Sequence, residues 1–158
     1  MTAETTSGLT SDLRVVSTEK LPTPDELASQ IPLTETARET ILSGRSQVQD
    51  ILSGKDSRLL VVAGPCSVHD EKAALDYADR LVKLADEVKD QICVVMRVYF
   101  EKPRTILGWK GLIYDPNLNG EISIKEGLER ARKILLAVNE KGLPAGAEFL
   151  DPIVPAYL

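Results

Sequence analysis

Leu59-Leu60-Val61-Val62-Ala63 is apolar without a break and is bounded by Asp56 and Gly64, a run that predicts a strand buried on both faces, as in a parallel sheet. A second run follows at Ile92-Cys93-Val94-Val95-Met96-Arg97-Val98. Between them Ala74, Ala78, Leu81, Val82, Ala85 and Val88 recur at spacings of three and four, the pattern of a helix that covers a sheet. Asp70 stands where that helix needs a cap. A further stripe, Ile124, Leu128, Ala131, Leu135 and Val138, stops at Gly142 and leads into Pro144-Ala145-Gly146-Ala147-Glu148-Phe149. The order is β-α-β-α-β, with strands near 59–63, 92–97 and 144–148 and connections long enough for right-handed crossovers. The class is α/β. No GxGxxG or GxxxxGK[ST] follows any strand, so a nucleotide-binding doubly wound sheet loses its main support and a barrel gains weight.

Residues 1–33 carry Gly8, Pro22, Pro24 and Pro32 with little periodicity, and read as an extension outside the core. From Thr34 to Ser53, Ala37, Ile41, Val48 and Leu52 predict a helix, with Thr36 and Glu39 as a capping box and Gly54 as its stop. Ser123 and Glu126 form the same capping signature before the last helix. The expected division is therefore 1–54, extension and leading helix, and 55–158, the sheet and its helices. Nineteen Lys and Arg against 24 Asp and Glu give a net charge of −5, which argues against nucleic acid or an anionic membrane surface as partner. No apolar run approaches the roughly 20 residues of a membrane span and no signal peptide is visible, so the expected location is the cytoplasm. There, Cys66 and Cys93 stay thiols.

In parallel α/β folds reactive groups gather at the carboxyl ends of the strands. The first strand delivers Gly64-Pro65-Cys66-Ser67 there, the second Arg97 and the third Glu148. Cys66, in a rigid turn before a helix, reads equally as a metal-binding or nucleophilic thiolate and as a small buried hydrophobe. Cys93, inside a strand, reads as core. His69, the only histidine, reads as a loop residue. Arg97 to Gly111 holds four cations and one anion, interleaved with Pro, Gly and aromatic residues. Such a loop suits compact phosphorylated anions. Glu148 reads as a partly desolvated carboxylate that holds a water, or as a structural partner of Arg97.

Gly64-Pro65-Cys66-Ser67, Arg97-Val98-Tyr99-Phe100-Glu101-Lys102-Pro103-Arg104-Thr105, Gly108-Trp109-Lys110-Gly111-Leu112-Ile113 and Glu148-Phe149-Leu150-Asp151 together resemble the microbial class I 3-deoxy-D-arabino-heptulosonate 7-phosphate (DAHP) synthases. The resemblance runs from about Thr34 to Leu158. It implies a (β/α)8 TIM barrel and the first step of the shikimate pathway to chorismate and the aromatic amino acids: phosphoenolpyruvate, erythrose 4-phosphate and water give DAHP and phosphate. It implies Cys66 as one ligand of a divalent metal (Mn, Fe, Co or Zn), and Arg97 and Lys102 as phosphoenolpyruvate contacts. Arg104 and Thr105 correspond to the clamp on erythrose 4-phosphate, with Pro103 holding the turn. Lys102 and Glu148 correspond to catalytic positions, Glu148 placing a water.

The family's other ligands, a His, a Glu and an Asp, have no counterpart in these residues, and Leu150 to Leu158 enters what reads as another helix. The expectation is accordingly a fragment, with about the first three β/α units, inactive by itself and part of a homo-oligomer when complete. An aromatic amino acid as feedback inhibitor is also implied. Asp151 to Tyr157 overlaps the stretch where inhibitor classes differ; Ala156 departs from the Gln common there, and Pro152 tilts the choice towards Tyr. Three alternatives remain at this level: a non-catalytic phosphate-binding or regulatory module, an enzyme like the 3-deoxy-octulosonate 8-phosphate synthases, and a Cys66 nucleophile enzyme.

Overall fold

A computed structural model describes residues 18–104 and 106–158. In chain order the elements are α1 (Pro24–Gln30), α2 (Glu35–Leu52), β1 (Leu59–Ala63), α3 (Glu71–Val88), β2 (Ile92–Arg97), α4 (Ile124–Glu140) and β3 (Ala145–Gly146), followed by a 3-10 turn at Val154–Ala156. The three strands form one sheet in the order β1-β2-β3, and both pairings are parallel. Leu59 pairs with Ile92 and Ala63 with Met96, so the carboxyl ends of β1 and β2 finish level.

Residues that alternate along a strand face opposite sides of the sheet. Val94, Met96 and Val98 join Ala74, Ala78, Leu81, Leu128, Ile134 and Val138 in the core, so α3 and α4 cover that face. The caps follow local chemistry. Asp70 accepts from the Ala73 amide at 2.8 Å, and Gly54 and Gly142 take the positive φ that ends a helix in the left-handed region.

Five expectations need correction. The segment before Thr34 is not outside the core: α1 starts in a capping box of Thr23 and Glu26, and its Leu27 is fully buried. Arg132 holds this segment by donating to the Ile31 carbonyl at 2.8 Å and to the Tyr157 carbonyl at 2.9 Å, while the Tyr157 hydroxyl donates to Pro22 O at 2.9 Å. The cap of α2 is Thr34 rather than Thr36, because its hydroxyl lies one residue outside the first turn and accepts from the Ala37 amide. Ser123 heads α4 without capping it through its side chain; its hydroxyl donates to Glu126 at 3.4 Å instead.

β1 is not buried on both faces, since Leu59 is 63% and Val62 54% exposed; it is an edge strand. β3 spans two residues rather than 144–148. The β2 chain accompanies it only from the Met96 amide, which donates to Pro144 O, to the Val98 amide, which donates to Gly146 O. Beyond that the chain after β2 turns into a loop and leaves Ala147 and Glu148 without a ladder.

Candidate functional site

The carboxyl ends of β1 and β2 approach closely because residue 64 is glycine. A Cβ on Gly64 would lie 2.8 Å from the Arg97 Cβ and closer still to the Arg97 carbonyl oxygen. The chain then turns through Pro65, and the turn is pinned from β2's side: the Tyr99 carbonyl accepts from the Val68 amide at 2.8 Å and from the Ser67 hydroxyl at 3.2 Å. This presents Cys66 at the surface.

Lys102 reaches back to Cys66. Its Nζ donates to Sγ at 2.9 Å and to the Cys66 carbonyl at 3.4 Å. The Arg97 Nη2 donates to the same carbonyl at 3.4 Å. The Lys102 ammonium, through that hydrogen bond and its charge, holds the Cys66 thiol below the ordinary thiol range; Arg97 and Arg104 add to the effect and desolvation opposes it. Thiolate beside cations is the form that binds a metal or acts as a nucleophile. Cys93 is the opposite case, because burial pushes its thiol up.

The cationic loop has a defined neck. Glu101 bridges to Gly111, and the Lys102 amide donates to the Lys110 carbonyl at 3.0 Å. Gly111, at φ +107°, is required here: a Cβ would press on the Phe100 carbonyl and come within 2.7 Å of the Glu101 Cα. Past the neck, the Arg104 amide donates to the Lys102 carbonyl at 2.8 Å across Pro103, a tight three-residue turn that sends Arg104 outward. Further on, Trp109 donates to the Asp115 carbonyl at 2.8 Å, and the buried Asp115 carboxylate accepts from the amides of Asn119 and Gly120. Trp109 also packs edge-on against His69 at 6.3 Å between centroids, which makes the histidine a loop neighbour of the site.

The structure thus brings Cys66, Arg97 and Lys102 together, with Arg104 and its turn residue Pro103 exposed beside them. Thr105 lies outside the described residues. Glu148 lies beyond β3 and is exposed rather than partly desolvated. Among the described residues no ion pair joins it to Arg97.

A second buried carboxyl is Glu101, 3% exposed, which is not among the sequence-predicted site residues. Its Oε2 accepts from the Leu150 amide at 3.2 Å, while its Oε1 is buried with no partner among the described residues. Burial raises its pKa; the Leu150 bond opposes this, and Asp151 and Glu148 add to it. Its signal in the sequence was being the lone anion of the cationic loop.

Two clefts lie elsewhere. One, of about 850 Å³, runs between α2 and the sheet face carrying Leu60, Val62 and Val95; the other, of about 650 Å³, lies where Gln47 and Arg58 meet below the sheet. Neither contains Cys66, Arg97 or Lys102. The site is recognised by its chemistry, a cation-flanked thiol, rather than by concavity. Among the described residues no three His, Cys, Asp or Glu side chains form a metal cage.

The chain is a parallel α/β unit with a lysine-held thiol and a cationic loop at the carboxyl edge of its sheet. Residues 30–158 match the DAHP synthetase I family, and the chain belongs to that family. It is 52% identical over 147 residues to the Phe-sensitive phospho-2-dehydro-3-deoxyheptonate aldolase of Escherichia coli K12, covering 93% of this chain and 42% of that protein. It is 51% identical over 156 residues to the phospho-2-dehydro-3-deoxyheptonate aldolase of Amycolatopsis methanolica, covering 99% of this chain and 76% of that one. The solved phospho-2-dehydro-3-deoxyheptonate aldolase of Francisella tularensis SCHU S4 superimposes with a TM-score of 0.88 at 43% identity, over 90% of this chain and 42% of that chain. The chain therefore spans about 42% of the length of the Escherichia coli relative.

Proposed function

We propose that this chain supplies one side of the active site of a DAHP synthase, with residues 55–158 contributing the first β/α units of a (β/α)8 barrel and residues 1–54 its extension and leading helix. The observation that carries the reading is the contact of Lys102 Nζ with Cys66 Sγ at 2.9 Å, beside Arg97 and at the carboxyl ends of two adjacent parallel strands. The proposed reaction joins phosphoenolpyruvate and erythrose 4-phosphate, with water, to give DAHP and phosphate.

Cys66 would be one ligand of a divalent metal, Mn, Fe, Co or Zn; its exposed sulfur and lysine-favoured thiolate fit that role. When bound, the metal supplies Lewis-acid polarisation of the sugar aldehyde. Arg97 and Lys102 bind the phosphate and carboxylate of phosphoenolpyruvate, and their fixed charges meet negative charge without reorganising. Arg104 and Thr105 hold the phosphate of erythrose 4-phosphate from the turn that Pro103 sets. Glu148, exposed at the rim, holds the water that adds to phosphoenolpyruvate. Glu101, whose pKa burial raises, ties the Lys102 loop to the segment that carries Glu148 by accepting from the Leu150 amide.

An aromatic amino acid is the proposed feedback inhibitor, in line with the Phe sensitivity in the name of the Escherichia coli relative, in a homo-oligomer of full-length chains. The proposed setting is the cytoplasm. Among the described residues no helix is long and apolar enough to cross a membrane.

The test is consumption of phosphoenolpyruvate by a protein carrying this chain at its relatives' full length. Turnover should require both erythrose 4-phosphate and a divalent metal. Lys102→Ala should weaken use of phosphoenolpyruvate and Arg104→Ala should raise KM for erythrose 4-phosphate, each by one to two decades, the worth of a charge-assisted contact of about 1.5–3 kcal/mol. Turnover without metal, or unchanged kinetics in both variants, would remove these residues from the site.

A further inference from the structure

The Arg97 guanidinium is held in an unusual way for a part-buried arginine. Its carbon stands 3.9 Å from the centre of the Tyr99 ring. Its Nε is buried without a hydrogen-bond partner among the described residues, and its Nη2 makes only a long 3.4 Å contact to the Cys66 carbonyl. No described carboxylate forms an ion pair with it. Arg97 and Tyr99 are two apart on extended chain, since the Val98 amide between them still donates to Gly146 O, so their side chains leave on the same side.

An aromatic face and a carboxylate both orient a guanidinium, with different consequences. A carboxylate neutralises the charge and occupies the N–H fork that an anion would use. A ring attracts the cation through its quadrupole and fixes its plane while the N–H edge stays open. We infer that Tyr99 is a positioning residue for the phosphoenolpyruvate site: its ring holds the Arg97 guanidinium in the plane that receives the anion and leaves its N–H edge free of any carboxylate until that anion arrives. The inference rests on the proposed function for the identity of the anion, and on the Arg97–Tyr99 geometry for the rest.

The ring and the main chain of Tyr99 do separate work. The carbonyl pins the Cys66 turn through Val68 and Ser67, and a side-chain substitution keeps it. The phenol hydroxyl has no part in the stacking. Tyr99→Phe therefore retains the device and Tyr99→Leu removes it with the Cys66 turn intact.

Two measurements on the full-length protein test this. In steady-state kinetics Tyr99→Leu should raise KM for phosphoenolpyruvate about tenfold, change kcat less than about twofold and leave KM for erythrose 4-phosphate alone; Tyr99→Phe should restore the wild-type KM. In arginine modification by phenylglyoxal, mapped by mass spectrometry without substrate, Arg97 should react several-fold faster in Tyr99→Leu than in wild type or Tyr99→Phe. Equal Arg97 reactivity in all three proteins, or a Phe variant as impaired as the Leu variant, overturns the inference. A wild-type protein that does not use phosphoenolpyruvate, but whose Arg97 is unmasked only in the Leu variant, keeps the ring's role and overturns the substrate assignment instead.

Discussion

Substituting Gly64 with alanine should open the site from its base. The added methyl would stand 2.8 Å from the Arg97 Cβ and closer to the Arg97 carbonyl oxygen, whereas carbon atoms pack best at about 3.5–4.0 Å. The ends of β1 and β2 must therefore part by about 0.7–1.2 Å. Neither side can yield cheaply, because the obstacle is backbone and the stem of a side chain rather than a flexible tip. Overpacking of this kind costs about 1–3 kcal/mol.

The functional effect should exceed the loss of stability. Cys66 sits two residues beyond Gly64, and Lys102 reaches it from the β2 side across a 2.9 Å contact. An ångström of separation breaks that contact, and displacements of this size cost about 10²-fold in well-positioned sites. Urea denaturation should show the lost stability, and alkylation of Cys66 at neutral pH should slow as the lysine ceases to favour the thiolate. Gly54→Ala is the control: it has a positive φ but nothing within 4 Å of a Cβ, so it should lower stability and leave Cys66 alone. Wild-type stability together with wild-type Cys66 reactivity in Gly64→Ala would refute the close-approach argument.

The buried Glu101 carboxyl keeps its proton to higher pH than it does in the unfolded chain. The native state therefore binds the extra proton, and stability should fall as pH rises from near 4.5, the ordinary glutamate value, towards the raised one; Glu101→Gln should flatten that decline in denaturant titrations, and an unchanged slope would contradict it. Cys66 should be alkylated with a midpoint below the ordinary thiol range, and Lys102→Met should move that midpoint upward while buried Cys93 stays unreactive; coincident midpoints would remove the lysine's influence. Leu27→Ala should cost about 2–5 kcal/mol in urea denaturation because the side chain is fully buried, whereas Leu52→Ala, at 76% exposure, should cost under about 0.5 kcal/mol; equal costs would place α1 outside the core.

What was legible in the sequence follows from periodicity and local chemistry. The apolar runs at 59–63 and 92–97 and the stripes of α3 and α4 encode elements whose partners lie nearby, and the parallel order follows from the crossover lengths between them. Gly-Pro before Cys66 and the alternation of cations with Pro and Gly marked the site loops. Less was legible wherever tertiary partners decide. Leu27 is buried because Arg132 and Tyr157, over a hundred residues away, tie down the segment around it. β3 ends early because the chain after β2 leaves it, which no property of residues 147–148 announces. Glu101 and Tyr99 read as ordinary loop residues until the fold buries one and sets the other beneath a guanidinium.

Cys66, Arg97 and Lys102 are proposed to form one metal-dependent anion site. This is tested most directly by a crystal structure of the full-length protein with Mn²⁺ and phosphoenolpyruvate, with the metal located by its anomalous signal. Manganese should be bonded to the Cys66 sulfur, and the phosphate and carboxylate of phosphoenolpyruvate should lie between Arg97 and Lys102, with the Arg97 guanidinium still stacked on Tyr99. Metal bound away from Cys66, or phosphoenolpyruvate seated with neither Arg97 nor Lys102 in contact, would contradict it.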